Sequence, residues 1–170
     1  MSRLSLTVTV LAMSAALAGC AHKAPKELPP EPGTPIGQES SSSDMTNAAV
    51  PGSQADFVAS VASDTIYFDT DQYNVDSADG ATLQSQAQWL ARYPDKRITV
   101  EGHADERGTR DYNIALGERR ANAAKNYLVS LGVAAARIGT VSYGKERPVA
   151  LGSDEASWAR NRRAVTVTIQ

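Results

Sequence analysis

Alternating and helical patterns of hydrophobic residues predict four strands and two helices from residue 65 onward. The predicted strands span residues 65–68, 97–101, 140–143 and 163–169, and the predicted helices span 77–93 and 111–131. In the first helix, Leu83, Ala87 and Leu90 share one face, and Pro94 follows its end. Because helices connect the early strands, this order predicts an α/β fold, an α+β sandwich whose mixed sheet carries both helices on one face.

The first nineteen residues have the composition of a cleaved secretory signal peptide. Arg3 is the only charged residue, and residues 4–18 are apolar or small. This apolar run is shorter than the roughly 20 residues that a membrane-spanning helix needs. We therefore predict that residues 1–19 are removed and that the mature chain begins at Cys20.

Cys20 is the only cysteine of the chain, so it cannot form an internal disulfide. The run Leu17-Ala18-Gly19-Cys20 resembles the lipobox of bacterial lipoproteins. The resemblance implies that Cys20 carries a diacylglycerol, and more than one acyl chain gives stable anchoring to a membrane. By the sorting pattern of such lipoproteins, Ala21 after the cysteine implies the cell outer membrane, with the domain facing the periplasm.

Residues 20–54 form a predicted disordered tether between the lipid and the domain. Proline and serine dominate this stretch, which includes four consecutive serines at 40–43 and few large apolar residues. Residues 55–170 have a globular composition and the length of one ordinary domain. The net charge of −2 and the lack of a basic patch argue against nucleic acid as a partner.

A polar loop, residues 102–111, joins the second strand to the second helix and contains the candidate binding residues. By composition alone this loop could simply be solvated. However, Arg120 and Asn113 fall on the apolar stripe of the following helix, which contains Leu116, Ala124, Tyr127, Leu128 and Leu131. A buried arginine is costly unless it is paired, so Arg120 indicates either a structural ion pair or a cleft.

The cleft interpretation has a defined chemistry. Arg120 could donate to a carboxylate, and the free N–H groups at the start of the helix would also favour an anion. Asp105, at the end of the preceding strand, could accept an ammonium group. A cleft with both groups would suit a zwitterion, and the residues alone leave this interpretation and the structural one open.

Three motifs resemble the OmpA-like domain family over about residues 66–169. They are Gly102-His103-Ala104-Asp105, Asn113-x-x-Leu116-x-x-x-Arg120-Ala121 and Asn161-Arg162-Arg163-Ala164. Further motifs at residues 67–69, 105–109, 112–121 and 141–144 resemble the lipid-anchored members of that family. The resemblance implies a βαβαββ domain that binds peptidoglycan non-covalently.

The resemblance also implies a ligand and a set of roles. The family ligand is the diaminopimelate of the peptidoglycan stem, with Asp105 accepting its ammonium and Arg120 binding its carboxylate. The remaining residues of the implied pocket are Phe68, Asp69, Thr109, Asn113 and Leu116, supported by Asn161 and Arg162. Lipid-anchored members also bind the periplasmic protein TolB, within the Tol system that supports envelope integrity and outer-membrane constriction at cell division.

Two other functions compete with this interpretation. Catalysis would have to use His103, Asp105 or Glu106, but the chain has two histidines, too few ligands for a metal site, and no nucleophile-elbow or phosphate-binding motif. We therefore predict no enzyme activity, metal or cofactor, and expect the His103 ring to be hydrogen-bonded locally at a strand end. The second alternative is a peptidoglycan-binding lipoprotein outside the Tol system that acts as a protein–protein adaptor.

Overall fold

The computed structural model describes residues 49–169, which form four strands and four α-helices. The helices are α1 (Gln54–Ser60), α2 (Ser77–Arg92), α3 (Arg110–Ser130) and α4 (Glu155–Asn161), and the strands are β1 (Thr65–Tyr67), β2 (Arg97–His103), β3 (Ile138–Gly144) and β4 (Arg163–Ile169). No helix among these residues is long and apolar enough to cross a membrane. The predicted signal peptide, Cys20 and the tether up to residue 48 lie outside the described residues.

The sheet is mixed, as the order of elements predicted. Its strand order is β1-β4-β2-β3, with β2 and β3 parallel and β4 antiparallel to both β1 and β2. The last strand of the chain therefore lies inside the sheet, where it joins the first strand to the β2–β3 pair. This arrangement brings the ends of β1 and β2 close to the start of α3.

The core lies between one face of the sheet and the helices. Ile98 and Val100 of β2 are fully buried, and so are Leu90 of α2 and Leu128 of α3. The predicted stripe of α3 is confirmed from Asn113 to Leu128, but Leu131 is 38% exposed. The helix ends at Ser130 and Leu131 serves as its C-cap, so its side chain falls beyond the core.

Two short helices, α1 and α4, were not predicted. Each has seven residues and one buried side chain, Phe57 in α1 and Asn161 in α4, so neither has an apolar stripe. In α1, the Phe57 ring packs edge-on against Trp89 of α2, with 5.0 Å between ring centroids. The indole N–H of Trp89 donates to Asp56 over 3.0 Å, which ties α1 to the core by a polar contact as well.

Strand β2 and helix α3 approach each other most closely at two glycines. A β-carbon on Gly102 would overlap the carbonyl oxygen of Gly117 and lie 2.6 Å from its carbonyl carbon. A β-carbon on Gly117 would in turn lie 2.8 Å from the carbonyl oxygen of Gly102. The absence of side chains at both positions lets α3 lie directly on the end of β2, and this contact positions the loop that contains Asp105.

Candidate functional site

A pocket of about 270 Å³ opens where the end of β2, the first turns of α3 and the segment after β1 meet. Four of the predicted residues line it: Asp105, Asn113, Leu116 and Arg120. Asp105 follows the last residue of β2 by two positions, and the other three lie on the buried stripe of α3. The structure thus brings together the carboxylate and the guanidinium that the sequence placed fifteen residues apart.

Asp105 is an ionised carboxylate held between two guanidinium groups. Arg107 donates to it from Nη2 over 2.6 Å, and from Nε and its backbone N–H over 3.1 Å each. Arg162 lies on the other side, with Nη1 3.5 Å from Asp105 Oδ2. Burial raises the pKa of Asp105, but the hydrogen bonds from Arg107 and the nearby guanidinium of Arg162 outweigh this and hold it below its ordinary value.

Arg120 is completely buried, and its partners are backbone carbonyls. Its guanidinium donates hydrogen bonds of 2.8, 2.8 and 3.1 Å to the carbonyl oxygens of Gln72, His103 and Asp69. Among the described residues it has no carboxylate partner, so the structural ion pair, one of the two alternatives that the sequence left open, does not form. A guanidinium has five N–H groups, so two are not used by these three carbonyls.

The charge of Arg120 survives its burial. Burial and then the nearby positive charge of Arg162 lower the pKa of Arg120 to about 10. The group therefore stays protonated at neutral pH. Its guanidinium also lies 5.2 Å from the centre of the ring of Phe68, the residue after β1, and this cation–π contact favours the charged form.

Phe68, Asp69 and Thr109 do not line this pocket. Phe68 and Asp69 line another cavity, of about 590 Å³. Both still contact Arg120, Phe68 through its ring and Asp69 through its backbone carbonyl. Thr109 is the N-cap of α3, where its hydroxyl accepts a hydrogen bond from the Tyr112 N–H over 3.2 Å. Phe68 and Asp69 therefore contact a residue of the pocket, and Thr109 caps the helix that carries four of its residues.

Asn161 and Arg162, at the end of α4, hold neighbouring segments in place. The Asn161 side chain accepts from the N–H groups of Val149 and Ala150 and donates to the Ala150 carbonyl, which fastens the loop before α4. Arg162 donates to the Phe68 carbonyl over 2.9 Å and to Glu155 over 2.7 Å. Because Arg162 also lies beside Asp105, it links the end of β1 to the pocket.

Five residues that line the pocket were not among the predicted site residues: Thr70, Asp71, Arg107, Gly108 and Tyr112. Two contacts join the segment after β1 to the rest of the pocket, Tyr112 Oη with Asp71 and Arg107 Nη2 with Thr70, each 3.3 Å long. Asp71 has a φ of 57°, which few residues other than glycine adopt. Arg107 and Gly108 had a sequence signal, since both lie in the polar loop after Asp105, and Tyr112 lies in the motif at residues 112–121. Thr70 and Asp71 had none.

The expectation that the His103 ring is hydrogen-bonded was wrong. His103 does end β2, but neither ring nitrogen has a hydrogen-bond partner in the described part of the chain, and the ring is almost fully buried. Burial, and then the positive charges of Arg163 and Arg147, lower the pKa of His103 to about 4. Glu101, with Oε2 3.7 Å from Nε2, does not offset these effects.

His103 should therefore make the fold sensitive to acid. The pKa of this histidine is 6.5 in the unfolded chain and about 4 in the folded protein. As the pH falls from 6.5 towards 4, the unfolded chain binds a proton at His103 and the folded protein does not, so the unfolding free energy decreases. Between pH 7 and pH 4.5 we expect wild type to lose about 2 kcal/mol more unfolding free energy than His103→Leu, measured by urea denaturation. Equal losses in the two proteins would show that His103 is not the titrating group.

Comparison with known proteins identifies the family. Residues 67–162 match the model of the OmpA family. The peptidoglycan-associated lipoprotein of Rhizobium meliloti is 54% identical over 92% of this chain and 84% of its own, and that of Agrobacterium fabrum is 52% identical over 98% and 90%. The crystal structure of the peptidoglycan-associated lipoprotein from Burkholderia pseudomallei is 51% identical, with a TM-score of 0.62 over 64% of this chain and 92% of that one.

These matches agree with the observed fold. They also agree with the motifs that resemble the OmpA-like domain family and with those that resemble its lipid-anchored members. The mixed four-stranded sheet with its helices is the fold of the OmpA-like domains. The relatives are structural lipoproteins and not an enzyme family, which confirms the prediction of a non-catalytic domain. The chain therefore belongs to the OmpA family and, within it, to the peptidoglycan-associated lipoproteins.

Proposed function

We propose that this chain binds peptidoglycan non-covalently and ties a membrane to the cell wall. The observation that supports this most strongly is the pocket itself. It combines the ionised carboxylate of Asp105 with the guanidinium groups of Arg107 and Arg120 in a cavity of about 270 Å³. A site with both charges suits a small zwitterion, and a pocket of this size admits the end of one side chain.

Diaminopimelate has the required chemistry. Its side chain is a run of methylene groups that ends in an ammonium and a carboxylate on one carbon. We propose that the ammonium binds Asp105, while the carboxylate receives the two remaining N–H groups of Arg120. Leu116 offers an apolar surface to the methylene groups, and the first N–H groups of α3, near Asn113, add positive potential.

The other end of the bridge is the lipid on Cys20. We propose that it anchors the chain in the outer membrane, that the residues between Cys20 and α1 give the domain reach, and that Asn161 and Arg162 support the cleft. The tether ends before residue 54, the predicted boundary, because Ser53 is the N-cap of α1 and the Gln54 side chain accepts from the Thr168 N–H over 2.7 Å. Mass analysis of the protein extracted from membranes tests the anchor, and the expected mature N-terminus is an acylated Cys20. An unmodified Cys20, or cleavage elsewhere, would contradict it.

We also propose a wider role in the Tol–Pal system, as the resemblance of the motifs to lipid-anchored members of the family implies. In this proposal the domain also binds TolB and takes part in envelope integrity and outer-membrane constriction at cell division. The alternative is a peptidoglycan-binding lipoprotein that acts as an adaptor outside that system. Co-purification of the full chain with TolB distinguishes the two, and its failure in cells that contain both proteins favours the alternative.

Binding to whole sacculi tests the proposed ligand. Residues 21–170 include every described residue, so they retain the core and the pocket. We expect this protein to sediment with peptidoglycan whose stems contain diaminopimelate and to stay in the supernatant with peptidoglycan whose stems contain lysine, since lysine lacks the second carboxylate. Equal sedimentation with both materials would mean that the pocket does not recognise the second carboxylate of diaminopimelate.

A further inference from the structure

In the unliganded pocket, the proposed acceptor of the ligand's ammonium already has a partner. Arg107 binds both oxygens of Asp105, and the Asp105 side chain is only 9% exposed. An ammonium group that approached Asp105 with Arg107 in place would bring a further cation to a carboxylate that already lies between Arg107 and Arg162. Binding of the zwitterion therefore requires a change at Arg107.

Arg107 is also the cation of the pocket that is best placed to move. Its side chain is 39% exposed, whereas Arg120 is fully buried and Arg162 is 5% exposed. Its remaining side-chain hydrogen bond is an exposed one of 3.3 Å to the Thr70 hydroxyl. Arg120 is fixed by three carbonyls and Arg162 by a carbonyl and Glu155, so neither can follow a ligand.

The Arg107 guanidinium packs on the ring of Trp158, a residue of α4. The Arg107 guanidinium carbon lies 4.2 Å from the centre of the Trp158 ring, and the indole N–H donates to Glu106 over 3.0 Å. The ring is thereby tied to the same loop as Arg107. A guanidinium can slide over an aromatic face without losing the cation–π attraction, so a new partner can be reached at low cost.

We propose that Arg107 exchanges partners when the ligand binds: the ligand's ammonium replaces it on Asp105, and the released guanidinium binds the ligand's carboxylate. This inference rests on the proposed function and assigns Arg107 a role in specificity. Each charge stays paired before and after the exchange. A ligand with an ammonium but no carboxylate would leave Arg107 without a partner, so the exchange itself selects against lysine-type stems.

Two synthetic tripeptides test the exchange, L-Ala-γ-D-Glu-meso-diaminopimelate and its L-lysine counterpart, each titrated by calorimetry into residues 21–170. We expect wild type to bind the diaminopimelate peptide at least about 10-fold tighter than the lysine peptide. Arg107→Gln should weaken the diaminopimelate peptide by about 10-fold and leave the lysine peptide equal or tighter, because Asp105 is then free. Arg119→Gln, on the exposed face of α3, is the matched control and should behave as wild type.

The alternatives give different patterns. If Arg107→Gln strengthens the binding of both peptides equally, Arg107 only blocks Asp105, and the proposed exchange of partners is wrong. If it changes neither, or weakens both equally while the variant unfolds at the wild-type temperature, Arg107 does not select the carboxylate. If Arg107→Gln unfolds at a lower temperature, Arg107→Met, which also removes the charge but keeps an extended side chain, takes its place in the same titration and must show the same loss of preference. Wild type that binds neither peptide nor sacculi contradicts the proposed function itself.

Discussion

Gly102→Ala is expected to lower the unfolding free energy of the domain by about 3 kcal/mol or more, since overpacking a core usually costs about 1–3 kcal/mol and here the obstacle cannot yield. The new methyl group would overlap the carbonyl oxygen of Gly117. That oxygen belongs to the backbone of a 21-residue helix, so no side-chain rotation relieves the contact. Helix α3 would have to move away from β2, and Asn113, Leu116 and Arg120 would move with it.

Urea denaturation measures this effect, and Gly139→Ala is its matched control. Gly139 also lies in a strand of the sheet, but its β-carbon would be 3.4 Å from the nearest atom, the Thr99 hydroxyl oxygen. We expect Gly139→Ala to stay within about 0.5 kcal/mol of wild type. If both substitutions have the same small effect, the β2–α3 contact at Gly102 is looser than described.

Asp105→Asn is expected to weaken peptidoglycan binding by at least about 100-fold, because removing one partner of a desolvated charge pair costs about 2–5 kcal/mol. Asparagine keeps the shape of the side chain but has no charge for the ligand's ammonium. The change also leaves Arg107 without a counter-ion, although Arg162 keeps Glu155 as its partner. Co-sedimentation with diaminopimelate-type sacculi measures the loss.

The control for Asp105→Asn is Glu118→Gln, which removes one negative charge from the exposed face of α3. We expect its binding to equal that of wild type. A similar loss in both variants would mean that net charge, and not the pocket, governs binding. Thermal unfolding of both variants shows whether the binding results come from folded proteins.

Arg120→Ala is a poor probe of binding, although the sequence predicted that Arg120 binds the ligand's carboxylate. An arginine that lines a cleft can be removed with little effect on the fold. The structure instead shows Arg120 as the donor to three backbone carbonyls that it shares with no other side chain among the described residues. Its removal would take a donor from all three carbonyls, although that of Asp69 also accepts from the Gln72 N–H. Each acceptor left unpaired costs about 1–3 kcal/mol, so lost binding could simply report unfolding.

The elements that the sequence predicted are those whose burial follows a regular period. Residues Ile98 and Val100 alternate with exposed or half-exposed neighbours in β2, and the stripe of α3 recurs every three or four residues. Helices α1 and α4 each bury one residue, which leaves no period to detect. The β4 pattern predicted a strand, but its place between β1 and β2 depends on pairing that no local pattern encodes.

The residues of the candidate site could be predicted where they lie close together in the sequence, and not where only tertiary contacts bring them together. Asp105, Asn113, Leu116 and Arg120 could be found because they lie within sixteen residues, on one strand end and one helix stripe. Thr70 and Asp71 could not, because the segment after β1 reaches the pocket only through tertiary contacts, such as the bond from Arg120 to a carbonyl 48 residues away. The pairing of Arg107 with Asp105 depends on a loop conformation that sequence does not define.

The central claim is that the Asp105 pocket binds the diaminopimelate of peptidoglycan. Co-sedimentation of wild type and Asp105→Asn, as residues 21–170, with the same diaminopimelate-type sacculi tests it most directly. The account predicts that wild type is found in the pellet and that folded Asp105→Asn remains in the supernatant. A folded Asp105→Asn variant that sediments as fully as wild type would contradict it.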